Sequence, residues 1–413
     1  MKHIKLKFIA GLIAGQSPLG DDVNVAGSLP FLQGCADFGK KHPIPTRYCE
    51  FPSKLSPKGA WLISVRAPVG ELNLADQPYG IGRGVAAILP KKINSGYLGY
   101  ALKHLVPTLN SVATGSTYDA VSGDQIGNLF IPLPENDLQR EIENFLDYET
   151  SRIDQLIEKK ERFISLIQEK KLSLANQALD GSIVKNDKLG QKGWFGVLPS
   201  SWKSLRAKFL FREAQERSEG GDEELLTVSH ITGITKRSEK SVNMFMAETM
   251  EGYKLVSKSD VVVNTMWAWM GAMGVSQYDG LVSPAYGVYR PLKKIFEDEY
   301  LDLIIRSKAF IVEATRRSKG IHSSRLRLYP DAFLDILFPV PDIETQKQIL
   351  SAYKKATTKE DELVVLNTKS IELLKVLKSS LITEAVTGQL DVKLWKKSGV
   401  SNKCLDQIEE VLS

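Results

Sequence analysis

The sequence has little of what staples or arms a small enzyme. Its 413 residues hold three cysteines, Cys35, Cys49 and Cys404, with no CxxC pair. That excludes a disulfide framework and a four-ligand zinc site, and leaves reduced, packing thiols. The five histidines, His3, His42, His104, His230 and His322, are scattered, with no HExxH and no pair at helical spacing, so no metal is expected in this chain. No apolar run reaches the ~20 residues that a bilayer span needs, and the start from Met1 to Pro18 offers no small-residue cleavage site; a cytoplasmic protein without membrane contact is expected. A GxxxxGK[ST] phosphate loop, an Asn-Pro-Pro methyltransferase tetrapeptide and a paired-carboxylate-plus-lysine nuclease core are all missing, so no catalytic residues are expected. Gly80-Ile81-Gly82-Arg83-Gly84 superficially suggests a dinucleotide fingerprint, but Val85 to Leu89 continues as a strand where a phosphate-binding helix should begin.

What the chain does have is length and repetition. At 45.9 kDa it is too long for one core and suits two or three domains, and 43% apolar residues with a net charge of +5 describe a globular protein. Phe130-Ile131-Pro132-Leu133-Pro134, followed by Gln139 and Ile142, parallels Phe338-Pro339-Val340-Pro341 with Gln346 and Ile349. At a constant shift of 207, Leu156 falls on Leu363, Leu166 on Leu373, Leu174 on Leu381, Ala178 on Ala385 and Gly181 on Gly388. Upstream, Lys7-Phe8-Ile9 resembles Lys208-Phe209-Leu210, Gly70 falls on Gly271 and Gly84 on Gly287. The chain reads as a tandem duplication of one unit of about 200 residues.

Each copy has two parts. Residues 1–134 and 191–341 are rich in Gly, Pro and short β-prone runs such as Asp260-Val261-Val262-Val263-Asn264, the pattern of mixed α/β globular heads. After Pro134 and Pro341 no Pro or Gly occurs until Gly181 and Gly388, which predicts long helices over 135–180 and 342–387. Apolar residues at Ile142, Leu146, Ile153, Leu156, Phe163, Ile167 and Leu174 step by threes and fours, a coiled-coil seam. The second helix answers with Ile349, Leu363, Leu374, Leu377 and Leu381, interrupted by Glu360, Asn367 and Ser370. A helix of ~45 residues extends about 65 Å, more than a small domain covers, so the fold expected is α+β. Two heads (1–134, 191–341) are separated by paired antiparallel helices (135–190 with its linker, 342–388), in a pseudo-two-fold arrangement with a tail at 389–413.

Positive charge resides in the heads, +5 over residues 1–134 and +3 over 191–341, against −3 over 135–190 and 0 over 342–413. In the second head it concentrates in Arg306, Lys308, Arg316, Arg317, Lys319, Arg325 and Arg327, opposed locally only by Glu313. Clustered cations favour a phosphate backbone, though a solvated helix face would read the same way. Lys319-Gly320-Ile321-His322-Ser323-Ser324-Arg325 adds hydroxyls, an imidazole and a glycine suited to base edges and phosphates. Its counterpart Thr114-Gly115-Ser116-Thr117-Tyr118 is uncharged, so two such loops would read different bases. Trp267 and Trp269 alternate as in a strand and would share one face, for core packing or for stacking; Arg66 lies in the matching stretch and Arg83 between its glycines. The candidate DNA contacts are therefore Arg66, Arg83, Ser116, Thr117, Trp267, Trp269, Lys319, His322, Ser323, Arg325 and Arg327.

The repeated Pro-x-x-x-x-Gln helix starts, the helix ends Ala178-Leu179-Asp180-Gly181 and Ala385-Val386-Thr387-Gly388, and Gly196-Val197-Leu198-Pro199-Ser200-Ser201-Trp202 together resemble the specificity subunit of type I restriction-modification systems over essentially the whole chain. The resemblance implies two target recognition domains, each reading half of a bipartite double-stranded DNA site, with the helices setting an unread spacer. It also implies two modification subunits that bind S-adenosylmethionine and methylate adenine. Restriction subunits would add cleavage with ATP and magnesium, so cofactors are expected on the partners and none in this chain. The first head lacks a Leu-Pro-x-x-Trp lead-in like Leu198 to Trp202, and the tail with Leu394, Trp395, Leu405, Ile408, Val411 and Leu412 is a candidate to dock there. Two other readings of the residues remain: a coiled-coil scaffold that does not bind DNA, and a diverged stand-alone nuclease.

Overall fold

The computed structural model describes residues 1–18, 23–24, 26–113, 120–179, 189–239, 249–320 and 326–393. The chain divides into two compact units, one formed by Met1–Glu161 with the chain from Asn367 onward, the other by Arg162–Leu366. The division therefore falls within the long helices rather than before them. Among the described residues no helix is long and apolar enough to cross a membrane.

In the first unit β1 (Lys2–Lys5) is followed by β2 (Ala10–Ala14), β3 (Phe31–Leu32), β4 (Trp61–Ser64), β5 (Leu72–Leu74), β6 (Val85–Pro90), helix α1 (Ser95–Val112), β7 (Phe130–Leu133) and helix α2 (Asn136–Leu179). The main sheet is antiparallel in the order β2-β6-β4-β5, and β1 pairs antiparallel with β7. The second unit repeats this with β8 (Lys203–Arg206), β9 (Phe211–Glu213), β10 (Val261–Val263), β11 (Met273–Val275), β12 (Gly287–Pro291), α3 (Asp298–Ile305), α4 (Lys308–Arg317), β13 (Leu337–Val340) and α5 (Ile343–Thr387). Its sheet runs β9-β12-β10-β11, and β8 pairs with β13. Both heads thus place first, fourth, second and third strands side by side. The centre of each sheet is fully buried, Leu62 and Ile63 in one and Val261, Val262 and Val263 in the other, which accounts for continuous apolar runs where one-sided burial would give alternation.

The repeated Pro-x-x-x-x-Gln motif has a mechanical explanation. Gln139 is buried; its amide N–H donates to Pro134 O (2.8 Å) while its oxygen accepts from Asn94 N (2.8 Å). Gln346 does the same with Pro341 O (3.0 Å) and Glu297 N (2.9 Å), and also donates to Ile295 O (3.0 Å). A buried amide that satisfies the helix entry and the loop beyond the sheet fixes the direction in which each long helix leaves its head. The helix ends serve the opposite copy. Ala385 and Val386 lie in the core of the first head with Ile142, Phe145 and Leu146, and Ala178 and Leu179 in that of the second with Ile349. Leu390 packs on the first core and Val392 is buried in it, while Leu394 and the rest of the tail lie outside the described residues.

Within the first unit α2 and α5 run antiparallel. Lys378 Nζ reaches Asp154 (2.7 Å) and Lys160 Nζ reaches Asn367 Oδ1 (3.2 Å), so one number rises as the other falls. In the second unit Lys170 pairs with Glu360 (2.7 Å) and Lys171 with Asp361. Of the residues expected to pair the helices, Ile153, Leu156, Ile167, Leu374 and Leu381 are buried, and Leu174 and Leu377 are half-buried. Phe163 and Leu363 are not seam residues: they are 42% and 40% exposed, and Lys160, Thr357, Glu360 and Asn367 occupy seam positions instead. The stripe follows a 3.5-residue seam through Ile153, Leu156 and Lys160 that a search for apolar residues alone steps over.

Candidate nucleic-acid interface

In both heads several chain segments converge at the end of the second sheet strand. Past β4, Val65 N donates to Gly84 O (3.0 Å), and Val65 O accepts from Val121 N (2.9 Å); Arg66 then forms an antiparallel bridge with Ala120. Gly84 N in turn donates to Gln33 O (3.1 Å), just beyond β3. Backbone hydrogen bonds therefore bring together the chain around residues 33, 65, 84 and 121, and exposed Arg66 and Arg83 stand at this edge.

The second head builds the same edge. Past β10, Thr265 O accepts from Leu328 N (3.0 Å), as Val65 O does from Val121. Thr265 Oγ1 donates to Ala285 O (2.9 Å) and Asn264 Nδ2 to Tyr286 OH (3.0 Å), tying in the turn before β12. Lys319 and Arg327 exchange paired backbone bonds, each 2.9 Å, and both side chains are exposed. The turn past the edge is closed in both heads by a left-handed glycine, Gly70 (φ +91°) and Gly271 (φ +88°), where a Cβ would press on Val106 and Ile311 respectively.

Two expectations about this edge change. Trp267 and Trp269 do not alternate along a strand: Trp267 caps a 3₁₀ turn, Ala268–Met270. Trp267 is 52% exposed, whereas Trp269 is partly covered and donates its ring N–H to Met266 O (3.0 Å). The sequence Met266 to Gly271 is too short of paired backbone to extend a sheet, and its N–H groups turn back on Asn264, Trp267 and Ala268.

The basic run is also less available than its composition suggests. Glu313, buried on α4, takes Arg316 (2.7 Å) and Arg317 (2.6 Å); Arg317 also meets Asp335 (3.1 Å). Hydrogen bonding from Arg316 and then Arg317 holds the Glu313 carboxyl below the ordinary glutamate range. Arg306 is held by Asp302 (3.5 Å) and donates to Ile231 O (2.7 Å). Lys308, Lys319 and Arg327 remain exposed, with no carboxylate at ion-pair distance among the described residues. The structure thus gathers Trp267, Lys319 and Arg327 on one edge and Arg66 with Arg83 on the other. Ser116, Thr117, His322, Ser323 and Arg325 lie outside the described residues. Gln33, Thr265 and Tyr286 join these edges without any charge or motif to mark them in the sequence.

Comparison with known proteins agrees with this duplicated architecture. Residues 5–164 match the family model of the type I restriction modification DNA specificity domain. The chain is 35% identical over 175 residues to the type I restriction enzyme MjaX specificity subunit of Methanocaldococcus jannaschii, a match covering 42% of this chain and 40% of that protein. It is 30% identical over 154 residues to the MjaIX specificity subunit of the same organism, covering 34% and 35%. These matches span about two fifths or less of the relatives' lengths. A solved structure concerning complex assembly and conformational transition of the type I R-M system aligns over 94% of this chain and 98% of that one, with a TM-score of 0.57 and 15% identity, and so shares the fold. With its own halves repeating one architecture, the chain is similar over residues 5–164 to the type I restriction modification DNA specificity domain, and over 175 residues to a type I restriction enzyme specificity subunit.

Proposed function

We propose that this chain is the DNA-reading, non-catalytic subunit of a type I restriction-modification complex, each head recognising one half of a bipartite duplex site with the edge described above. One observation carries the reading: the same hydrogen-bonded edge occurs once per head and bears different exposed side chains. These are two guanidiniums, Arg66 and Arg83, in the first, and an indole with two cations, Trp267, Lys319 and Arg327, in the second. A shared scaffold gives a common way of docking on DNA, while unlike side chains give unlike base preferences. Ser116, Thr117, His322, Ser323 and Arg325, which lie outside the described residues, are proposed as further base and phosphate contacts on the strength of their sequence alone.

The paired helices dock two modification subunits, which bring S-adenosylmethionine and methylate adenine; restriction subunits, with ATP and magnesium, add cleavage. This chain contributes binding and spacing, and its work is done in the cytoplasm. The test is duplex affinity of the chain with its modification partner as a function of salt. Phosphate contacts from several cations predict a fall of roughly 10³–10⁵ between about 50 and 200 mM salt for 6–10 contacts, and proportionally less for fewer. A salt-independent or absent interaction would favour the scaffold instead.

A further inference from the structure

The glycines around Arg83 precede a strand and not a phosphate-binding helix, and both lie close to Gln33, Gly84 against its backbone and Gly82 chiefly against its side chain. A Cβ on Gly84 would fall on the Gln33 carbonyl oxygen, and a Cβ on Gly82 would fall on the Gln33 side-chain Oε1 and lie 2.9 Å from its Cδ. The two positions flanking Arg83 are thus kept bare so that Gln33 can lie against them. We infer that Gln33 is a specificity-determining residue of the first head, its amide set beside Arg83 to read an adjoining base; this rests on the DNA-reading function proposed above.

Three features of the surroundings support the assignment. Gln33 follows β3, whose Phe31 and Leu32 are both fully buried, and its carbonyl is held by Gly84 N–H (3.1 Å), so its Cα is fixed. Its side chain is exposed and, among the described residues, is held at the tip by donation to Ser17 Oγ at 3.4 Å, a long bond that a better acceptor would displace. Its chemistry also complements its neighbour. A guanidinium presents paired donors, matched to guanine O6 and N7, whereas a carboxamide presents a donor and an acceptor side by side, matched to adenine N7 and N6–H. Arg83 and Gln33 on adjacent segments therefore read chemically distinct base edges.

The experiment maps methylated sites, and measures duplex affinity, for the complex of the full chain with its modification partner, comparing wild type with Gln33→Ala, Gln33→Glu and Gly82→Ala. Gly82→Ala keeps the Gln33 side chain but pushes its amide aside, at the cost of a close 3.1 Å approach to the Gln33 Cα. Each variant is expected to relax or change one base position in one half-site by roughly ten- to a hundredfold, with the other half-site, the salt slope and the melting temperature unchanged. Gln33→Glu, which replaces the donor by an acceptor, should shift preference toward cytosine at that position. An unchanged site for Gln33→Ala and Gln33→Glu, with a wild type that methylates a bipartite site, overturns the role of Gln33 alone. Uniform loss at both half-sites with a lowered melting temperature assigns Gln33 to structure and also overturns it. A wild-type complex that binds no duplex overturns the DNA-reading function itself.

Discussion

Leu373 and Leu374 are adjacent, chemically identical and placed about 100° apart around α5, which makes them a sensitive test of how the helix is rotated. Leu374 is 2% exposed, within the first head's core cluster, and Leu373 is 61% exposed. Truncating a buried leucine to alanine loses its transfer energy and leaves a cavity, about 2–5 kcal/mol in well-packed cores. With Leu374 enclosed alongside Ile153, Leu156 and Leu381, we expect about 3 kcal/mol for Leu374→Ala. An exposed leucine has little burial to lose, and Leu373→Ala should cost under about 1 kcal/mol. For a unit of this size 1 kcal/mol displaces the melting temperature by roughly 2–4 °C, so the two variants should differ by about 5–10 °C. Calorimetry, with hydrogen exchange assigning the transition to the first unit, measures this. Equal losses, or a larger loss for Leu373→Ala, would mean that the seam is rotated by one residue, about 100°, and the pairing described here is wrong.

Further expectations follow from the same geometry. Arg327→Glu should weaken duplex binding by the complex and flatten its salt dependence, whereas Lys159→Glu, on the exposed face of α2, should do neither; equal effects would misplace the reading edge. Lys160 is no control for that comparison because it is buried in the seam, where desolvation lowers its pKa. Glu313 titrates below its ordinary value of 4.5 in the folded chain, so its ion pairs stabilise above that value and are lost as pH falls through the lowered one. Glu313→Gln should therefore lower stability at pH 7 by about 1 kcal/mol and leave it unchanged well below the folded pKa; an equal loss at both pH values would contradict the pairing. Four residues added to α2 after Leu166, with a matching four in α5, lengthen the rod by about 6 Å and should change the spacer of the methylated site. An unaltered site would argue against the helices as a ruler.

The helices were legible because nothing in 135–180 or 342–387 breaks a helix, and the structure runs them over Asn136–Leu179 and Ile343–Thr387. The duplication was legible for a related reason: Gln139 and Gln346 must each satisfy the same two backbone groups, so they recur at the same offset from a proline. What hydrophobicity obscured was the seam at Lys160, Glu360 and Asn367, where buried polar groups answer one another across the pair and Phe163 and Leu363 turn outward. The candidate interface was visible through its charges and missed where it has none. Arg317 looked more available than it is because Asp335 is distant in sequence, and Gln33 was invisible because only folding brings it to Gly82 and Gly84.

The most direct measurement is a genome-wide map of methylated adenines in cells that express this chain with its modification partner, beside cells that express the partner alone. A bipartite, asymmetric motif with an unread spacer, present only with this chain and altered in one half by changes at Arg83 and in the other by changes at Arg327, is the predicted result. A motif that is the same without this chain, or one in which both changes alter the same half, would contradict the assignment of one half-site to each head.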